Sequence, residues 1–174
     1  MLVKKLLLVC GPAAIGKSTY SKGYASRHPK EAIYVIAADE VRKDLYGGYD
    51  KFPPYFNMTP VYKEMINRAK KLALEHDELT VVFDTTMLYD ERRLYFIRHL
   101  KEFNFYEMIL LKLNDYSKCL ERNKTRPKEK WVPDNIIMDM ASHYEMPSPY
   151  CLAHFNKVVE IYVDNRIEKK IVIK

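Results

Sequence analysis

The chain has 174 residues, of which 48% are hydrophobic and 30% charged, the balance of one globular domain and not of a disordered or fibrous chain. Its apolar runs, such as Leu6–Cys10, fall far short of the ~20 residues that cross a bilayer. Three cysteines without CxxC spacing fit neither a disulfide scaffold nor a zinc ribbon, and 29 basic against 23 acidic residues, a net charge of +6, favour an anionic partner: phosphate, nucleotide or nucleic acid.

The opening MLVKKLLLVCG has the charge and apolar stretch of a leader but no small-residue cleavage site, so no signal peptide is expected. Reduced cysteines point to the cytoplasm, the host's if the source is a virus. Val3–Cys10, apolar without a break from Leu6 to Cys10, has the pattern of a strand buried on both faces. A helix is predicted from Lys17 to His28, stopping before Pro29, then a strand over Ala32–Ala38 and a short helix over Asp39–Tyr46 closed by Gly47-Gly48. Tyr49–Asn57, with Pro53-Pro54, is a loop. Thr59-Pro60 begins a helix, Thr as N-cap and Pro at the first helical position. Val61, Met65, Ala69, Leu72 and Ala73 then share one face.

A third strand covers Leu79–Phe83, a helix Asp90–Phe103, a fourth strand Glu107–Leu113 and a helix Tyr116–Asn123. Lys124–Trp131 is a basic loop, Pro133–Tyr144 a helix and Val158–Val163 a fifth strand, with Ile167–Ile173 as an edge strand or hairpin end. Strands alternating with helices imply a five-stranded parallel sheet with helices on both faces. Ligands of such sheets lie beyond the carboxyl ends of the strands.

The sharpest motif lies there. Gly11-Pro12-Ala13-Ala14-Ile15-Gly16-Lys17-Ser18 matches G-x-x-x-x-G-K-[ST] between a strand and a helix. Glycines permit the tight turn, and successive N–H groups from Gly11 to Thr19 make an anion nest. Lys17 is expected on the β- and γ-phosphates of a nucleoside triphosphate, and Ser18 on Mg²⁺. The chain has five glycines, and this motif uses two.

Asp39 and Arg42, at i and i+3 after the second strand, share a helix face. As a constellation they supply a base for an attacking hydroxyl and a fork for a phosphate; the plainer alternative is an N-cap and a solvated charge. Asp84-Thr85-Thr86 ends the third strand, either as a contact to metal, water or substrate or as a helix-capping turn. One of Arg92 and Arg93 faces the site, or both are solvated. Arg122–Lys130, five of nine residues cationic, is either a solvated loop or a lid whose arginines close over phosphates. Trp131 either stacks on a base or packs. The histidines show no metal-ligand spacing.

Together GPAAIGKST, ADEVRKDLYG, VVFDTTMLYDERR and CLERNKTRPKEKWVP, in that order between Leu6 and Tyr144, resemble the P-loop polynucleotide 5′-kinases of bacteriophages and bacteria. The resemblance implies a fold of the nucleoside-monophosphate-kinase type, an ATP donor (or another nucleoside triphosphate) with Mg²⁺, and the 5′-hydroxyl end of DNA or RNA as acceptor. It implies that Asp39 is the general base on that hydroxyl and that Arg42 holds the acceptor's 3′-phosphate. Asp84 and Thr85 lie near the substrate, with Thr86 standing where the family has Asn. Arg126 is the lid arginine on the donor phosphates, and Arg122 opens the same R-N-x-x-R pattern. Ala14-Ile15 replace the Gly-Ser common in relatives, and Ala14 is then expected at negative φ. The acceptor is expected near the Tyr49–Tyr62 segment, whose aromatic residues suit a base. Two rivals are a small-molecule kinase of the same superfamily and a non-catalytic nucleotide-binding module.

Overall fold

The structure, a computed structural model, describes residues 1–174. Its centre is β1 (Lys4–Cys10). Leu6 to Cys10 are fully buried because consecutive side chains point to opposite faces and both faces are covered. Leu6, Leu8 and Cys10 enter one core, and Leu7 and Val9 the other. The chain continues through α1 (Lys17–Arg27), β2 (Ile33–Ala37), α2 (Ala38–Tyr46), α3 (Thr59–Glu75) and β3 (Leu79–Asp84). After these come α4 (Asp90–His99), β4 (Phe105–Lys112), α5 (Ser117–Thr125), α6 (Asp134–His143), α7 (Pro149–Leu152), β5 (Lys157–Tyr162) and β6 (Ile167–Ile173).

The sheet order is β2-β3-β1-β4-β5-β6. The larger core takes Val41, Met65, Ile97 and Cys151 from α2, α3, α4 and α7. The smaller takes Tyr24, Cys119 and Ile137 from α1, α5 and α6. Helices thus cover both faces, as alternation of strand and helix required. No helix is long and apolar enough to cross a membrane.

The five expected strands are parallel. The sheet nonetheless has six, because β6 returns from a tight turn and pairs antiparallel with β5. Its alternation is weak and most of it is exposed, which is why the sequence left it between edge strand and hairpin end. Thr59 is the first residue of α3 and not its cap: Met58 holds that position, and Asn57 Oδ1 accepts the Thr59 N–H at 3.1 Å. The helix expected to reach Phe103 ends at His99, because Leu100 and Phe103 turn inward to the core. Within the Tyr49–Asn57 loop, Pro54–Phe56 forms a 3₁₀ turn in which Tyr55 and Phe56 have φ of 58° and 55°.

Candidate active site

Strand register builds the site. Val9 of β1 pairs with Asp84 of β3, and Ala37 of β2 pairs with the same Asp84. Two residues further along the chain from Val9 and Ala37 stand Gly11 of the glycine loop and Asp39 of α2, so the two motifs and Asp84 meet at one sheet edge.

Gly11, at φ 156°, donates its N–H to Thr86 O at 3.0 Å, and a Cβ there would stand 2.8 Å from Ile15 Cγ2. Gly16, at φ 111°, caps α1 without a side-chain bond. Ala13 and Ile15 bury their side chains, leaving the loop to present backbone. The N–H groups of Ala13, Ala14 and Gly16 to Thr19 have no partner within the chain, a concave row of donors at a helix N-terminus suited to phosphate oxygens. Ala14 departs from expectation: its φ is 64°, not negative. The turn needs a left-handed residue at this position, and Ala occupies it at a cost of about 1 kcal/mol.

Lys17 folds its Nζ onto Pro12 O at 2.8 Å. Burial pushes its ammonium down, while Asp84 and Asp39 pull it back up. Ser18 Oγ donates to Asp84 Oδ2 at 2.8 Å, tying the loop to the end of β3. Burial raises the Asp84 carboxyl against the pull of Lys17 and Ser18. This excludes the helix-capping alternative for Asp84: the carboxylate is buried, not at a helix start, and its one protein hydrogen bond is from a hydroxyl. Thr85 is buried beside the Tyr62 phenol.

Asp39 lies in the first turn of α2, not at its cap, which is Ala37. Its carboxylate is half exposed and accepts Arg42 Nη1 at 2.9 Å. Arg42 is far from the solvated alternative, being 7% exposed. Its Nη2 donates to Tyr49 O at 2.7 Å, its face lies 4.2 Å from the Phe52 ring centroid, and its Nε is buried without a partner.

The basic segment folds over this edge as a lid. Arg122 Nη1 donates to Ile15 O at 2.7 Å, docking α5 on the glycine loop. Arg126 is half-buried. Burial lowers its pKa, opposed by the charges of Asp39 and Asp84, which it faces. Asn123, which the sequence did not single out, organises the lid: it accepts Arg126 Nη2 at 2.9 Å and Val132 N–H at 3.1 Å, and donates to Val132 O at 2.8 Å. Lys130 reaches Glu40 at 3.8 Å and the Tyr49 ring at 4.3 Å, so the segment rests on α2 and the loop that follows it. Trp131 Nε1 donates to Arg126 O at 2.8 Å, and the side chain stays exposed. Arg93 is fully buried and structural, whereas Arg92 lies over Tyr62 at 4.1 Å.

A protein-family model described as an AAA domain matches residues 6–147. The chain belongs to this AAA domain family. Within the family it has the P-loop kinase fold, and solved structures share it at low identity. Kti12 from Chaetomium thermophilum, in complex with ADP-AlF3, superposes with a TM-score of 0.65 at 14% identity, over 91% of this chain and 89% of that one. A gluconokinase from Sinorhizobium meliloti gives 0.59 at 17%, over 92% and 84%. A fungal RNA kinase gives 0.60 at 15%, over 92% of this chain but 38% of that one. No curated protein matches the chain by sequence.

Proposed function

We propose that this P-loop kinase transfers the γ-phosphate of ATP to the 5′-hydroxyl end of DNA or RNA. The observation that carries the reading is Asp39, half exposed and braced by Arg42, at the same sheet edge as Lys17, Ser18 and Asp84 and faced by Arg126. The four sequence motifs in family order, the net charge of +6 and the exposed aromatic residues Tyr55 and Phe56 beside the acceptor edge favour a nucleic-acid acceptor. A fungal RNA kinase among the fold's neighbours is in keeping with it.

In this mechanism the unpaired loop amides and Lys17 hold the donor phosphates. Asp39 takes the proton of the 5′-hydroxyl as that oxygen bonds to the γ-phosphorus, and the bridging oxygen leaves with ADP. Arg126, with Arg122 behind it on the loop, neutralises charge on the transferring group. Arg42 holds Asp39 in place. The buried Asp84 carboxylate and Ser18 Oγ are a donor set that fits Mg²⁺, and these two would hold it. Its charge would offset that of the donor phosphates.

The test is transfer of labelled γ-phosphate to a short oligonucleotide with a 5′-hydroxyl, beside the same oligonucleotide bearing a 5′-phosphate and a panel of sugars and nucleosides. Label on the 5′-hydroxyl oligonucleotide alone is the expected outcome. Label only on a small molecule would keep the donor site and Asp39 and transfer the acceptor to the small-molecule reading.

A further inference from the structure

The two edges of the sheet are unlike. At one edge β6 exposes Glu168, Lys169 and Lys170, charges of the kind that keep a sheet edge from pairing with another chain. The other edge, β2, has no such charge: Ile33–Ala37 reads Ile-Tyr-Val-Ile-Ala. Thr80 donates its N–H to Ala32 O at 2.8 Å, and in the register with β3 Ile33 stands opposite Thr80 and Val35 opposite Val82. A parallel ladder uses alternate residues of a strand. Tyr34 and Ile36 therefore bond to β3, whereas Ile33, Val35 and Ala37 turn their backbone groups outward. Of these, Ala37 O serves the first turn of α2, which Ala37 caps. The Val35 side chain is 39% exposed.

A groove of about 360 Å³ runs along this edge, its apolar lining made by Tyr34, Ile36, Val41 and Leu72. Its rim bears both signs, Arg68 and Lys71 on one hand and Glu40 and Glu75 on the other. Arg68 is held by Glu64 and Asp44. Lys71 is 78% exposed and only 4.0 Å from Glu75, the outer limit of an ion pair. Lys30, exposed in the turn before β2, has no ion-pair partner in its own chain. The Tyr34 hydroxyl lies 2.8 Å from His76 Nε2, just past the end of α3. The helix therefore runs against β2, with Glu75 near Tyr34 and Arg68 towards Ala37.

We propose that the β2 edge is an interface that takes a second copy of this chain, the two β2 strands pairing antiparallel about a two-fold axis at Val35. Such an interface must fit itself, and this one does. Val35 exchanges both of its outward bonds with Val35 of the second copy, and each Ala37 N–H reaches Ile33 O across the axis. Tyr34 stands opposite Ile36, an aromatic ring against a β-branched side chain. The same register brings Lys71 of one copy beside Glu75 of the other, and Lys30 to the end of the groove that Glu40 lines. Each α3, packed on β2 and β3 alike, comes to about 10 Å from its counterpart, the spacing of packed helices. A head-to-tail pairing of β2 with β6 is disfavoured, because it would set Lys169 and Lys170 against the apolar edge. One sheet then runs through both copies.

The experiment is sedimentation equilibrium of the wild type, Val35→Lys, Lys71→Glu, Glu75→Lys and the double variant Lys71→Glu/Glu75→Lys, with circular dichroism as a check on folding. The wild type should sediment in the micromolar range with twice the mass of the chain. Val35→Lys should sediment as a single folded chain, since it puts a charge on the edge and leaves the ladder to β3 alone. Each single rim variant sets like charges face to face at two places and should raise the dimer Kd about threefold or more. The double variant restores opposite charges and should recover most of that loss. Amide exchange gives a reading that needs no variant: Val35 N–H should be protected in concentrated protein and lose its protection on dilution. Should Val35→Lys fail to fold, the rim variants and the amide decide. A wild type that stays monomeric overturns the proposal and leaves the groove to an extended segment of another protein. A dimer that survives Val35→Lys, or one in which Val35 N–H exchanges freely, overturns it by placing the interface elsewhere.

Discussion

Lys17, Ser18 and Asp84 form one electrostatic unit: a buried carboxylate, a hydroxyl on it at 2.8 Å, and an ammonium whose pKa burial lowers against the pull of the carboxylate. Lys17→Ala should cut phosphoryl transfer by at least about a hundredfold, read as initial rate under saturating ATP. Asp39→Asn should cost as much turnover yet keep nucleotide affinity, since Asp39 touches Arg42 and not the loop; equilibrium nucleotide binding checks it, and lost affinity would count against the base. Asp84 makes a prediction about stability. Its folded carboxyl titrates above the ordinary 3.8, so the unfolded chain ionises first as pH rises and the folded state loses stability from about pH 4 upward through the raised value. Asp84→Asn should remove that loss. Denaturation midpoints of the nucleotide-free protein should converge in acid and favour the variant near neutrality, even though it loses the proposed metal ligand. Ala14→Gly should stabilise by about 1 kcal/mol by relieving the left-handed Ala, measured by urea unfolding. The motif's spacing revealed its partners, because each residue's role follows from loop geometry. The sign of φ at Ala14 and the burial of Arg42 were not legible: the first is set by the turn of the folded loop, the second by Phe52 and Tyr49, whose places only the folded chain defines.

At the scale of elements, Arg93 decides more than any cap. Its fully buried guanidinium joins Asp90 at the start of α4 to the carbonyls of Met87 and Leu88 in the loop after β3, and to Glu145 O beyond α6. Arg93→Met should destabilise by about 3 kcal/mol or more, leaving buried carbonyls unpaired, visible as a lowered urea midpoint; a change below about 1 kcal/mol would mean water replaces the guanidinium. The sequence placed every parallel strand, because continuous apolar runs between helices admit little else. It could not separate Arg93 from Arg92. Adjacent charges on a helix look alike until one turns inward and the other lies on a tyrosine. Nor did it give α7, whose four residues are too few to show a period.

Over the whole molecule, charge and topology point different ways. The basic segment rests on α2 through Lys130 and Glu40, so it and the sheet edge come together although they lie far apart in sequence. The central strand shows the same distance in another form. β1 carries the glycine loop, yet Lys4 pairs with Leu79 and Lys5 with Phe105. Until those late strands have been synthesised, Leu6–Cys10 is an apolar segment with no neighbour on either side, and pairing over such long separations is slow. The nucleotide site, encoded almost first, is thus assembled among the last, and for much of its synthesis the chain presents an unpaired apolar strand to the surroundings.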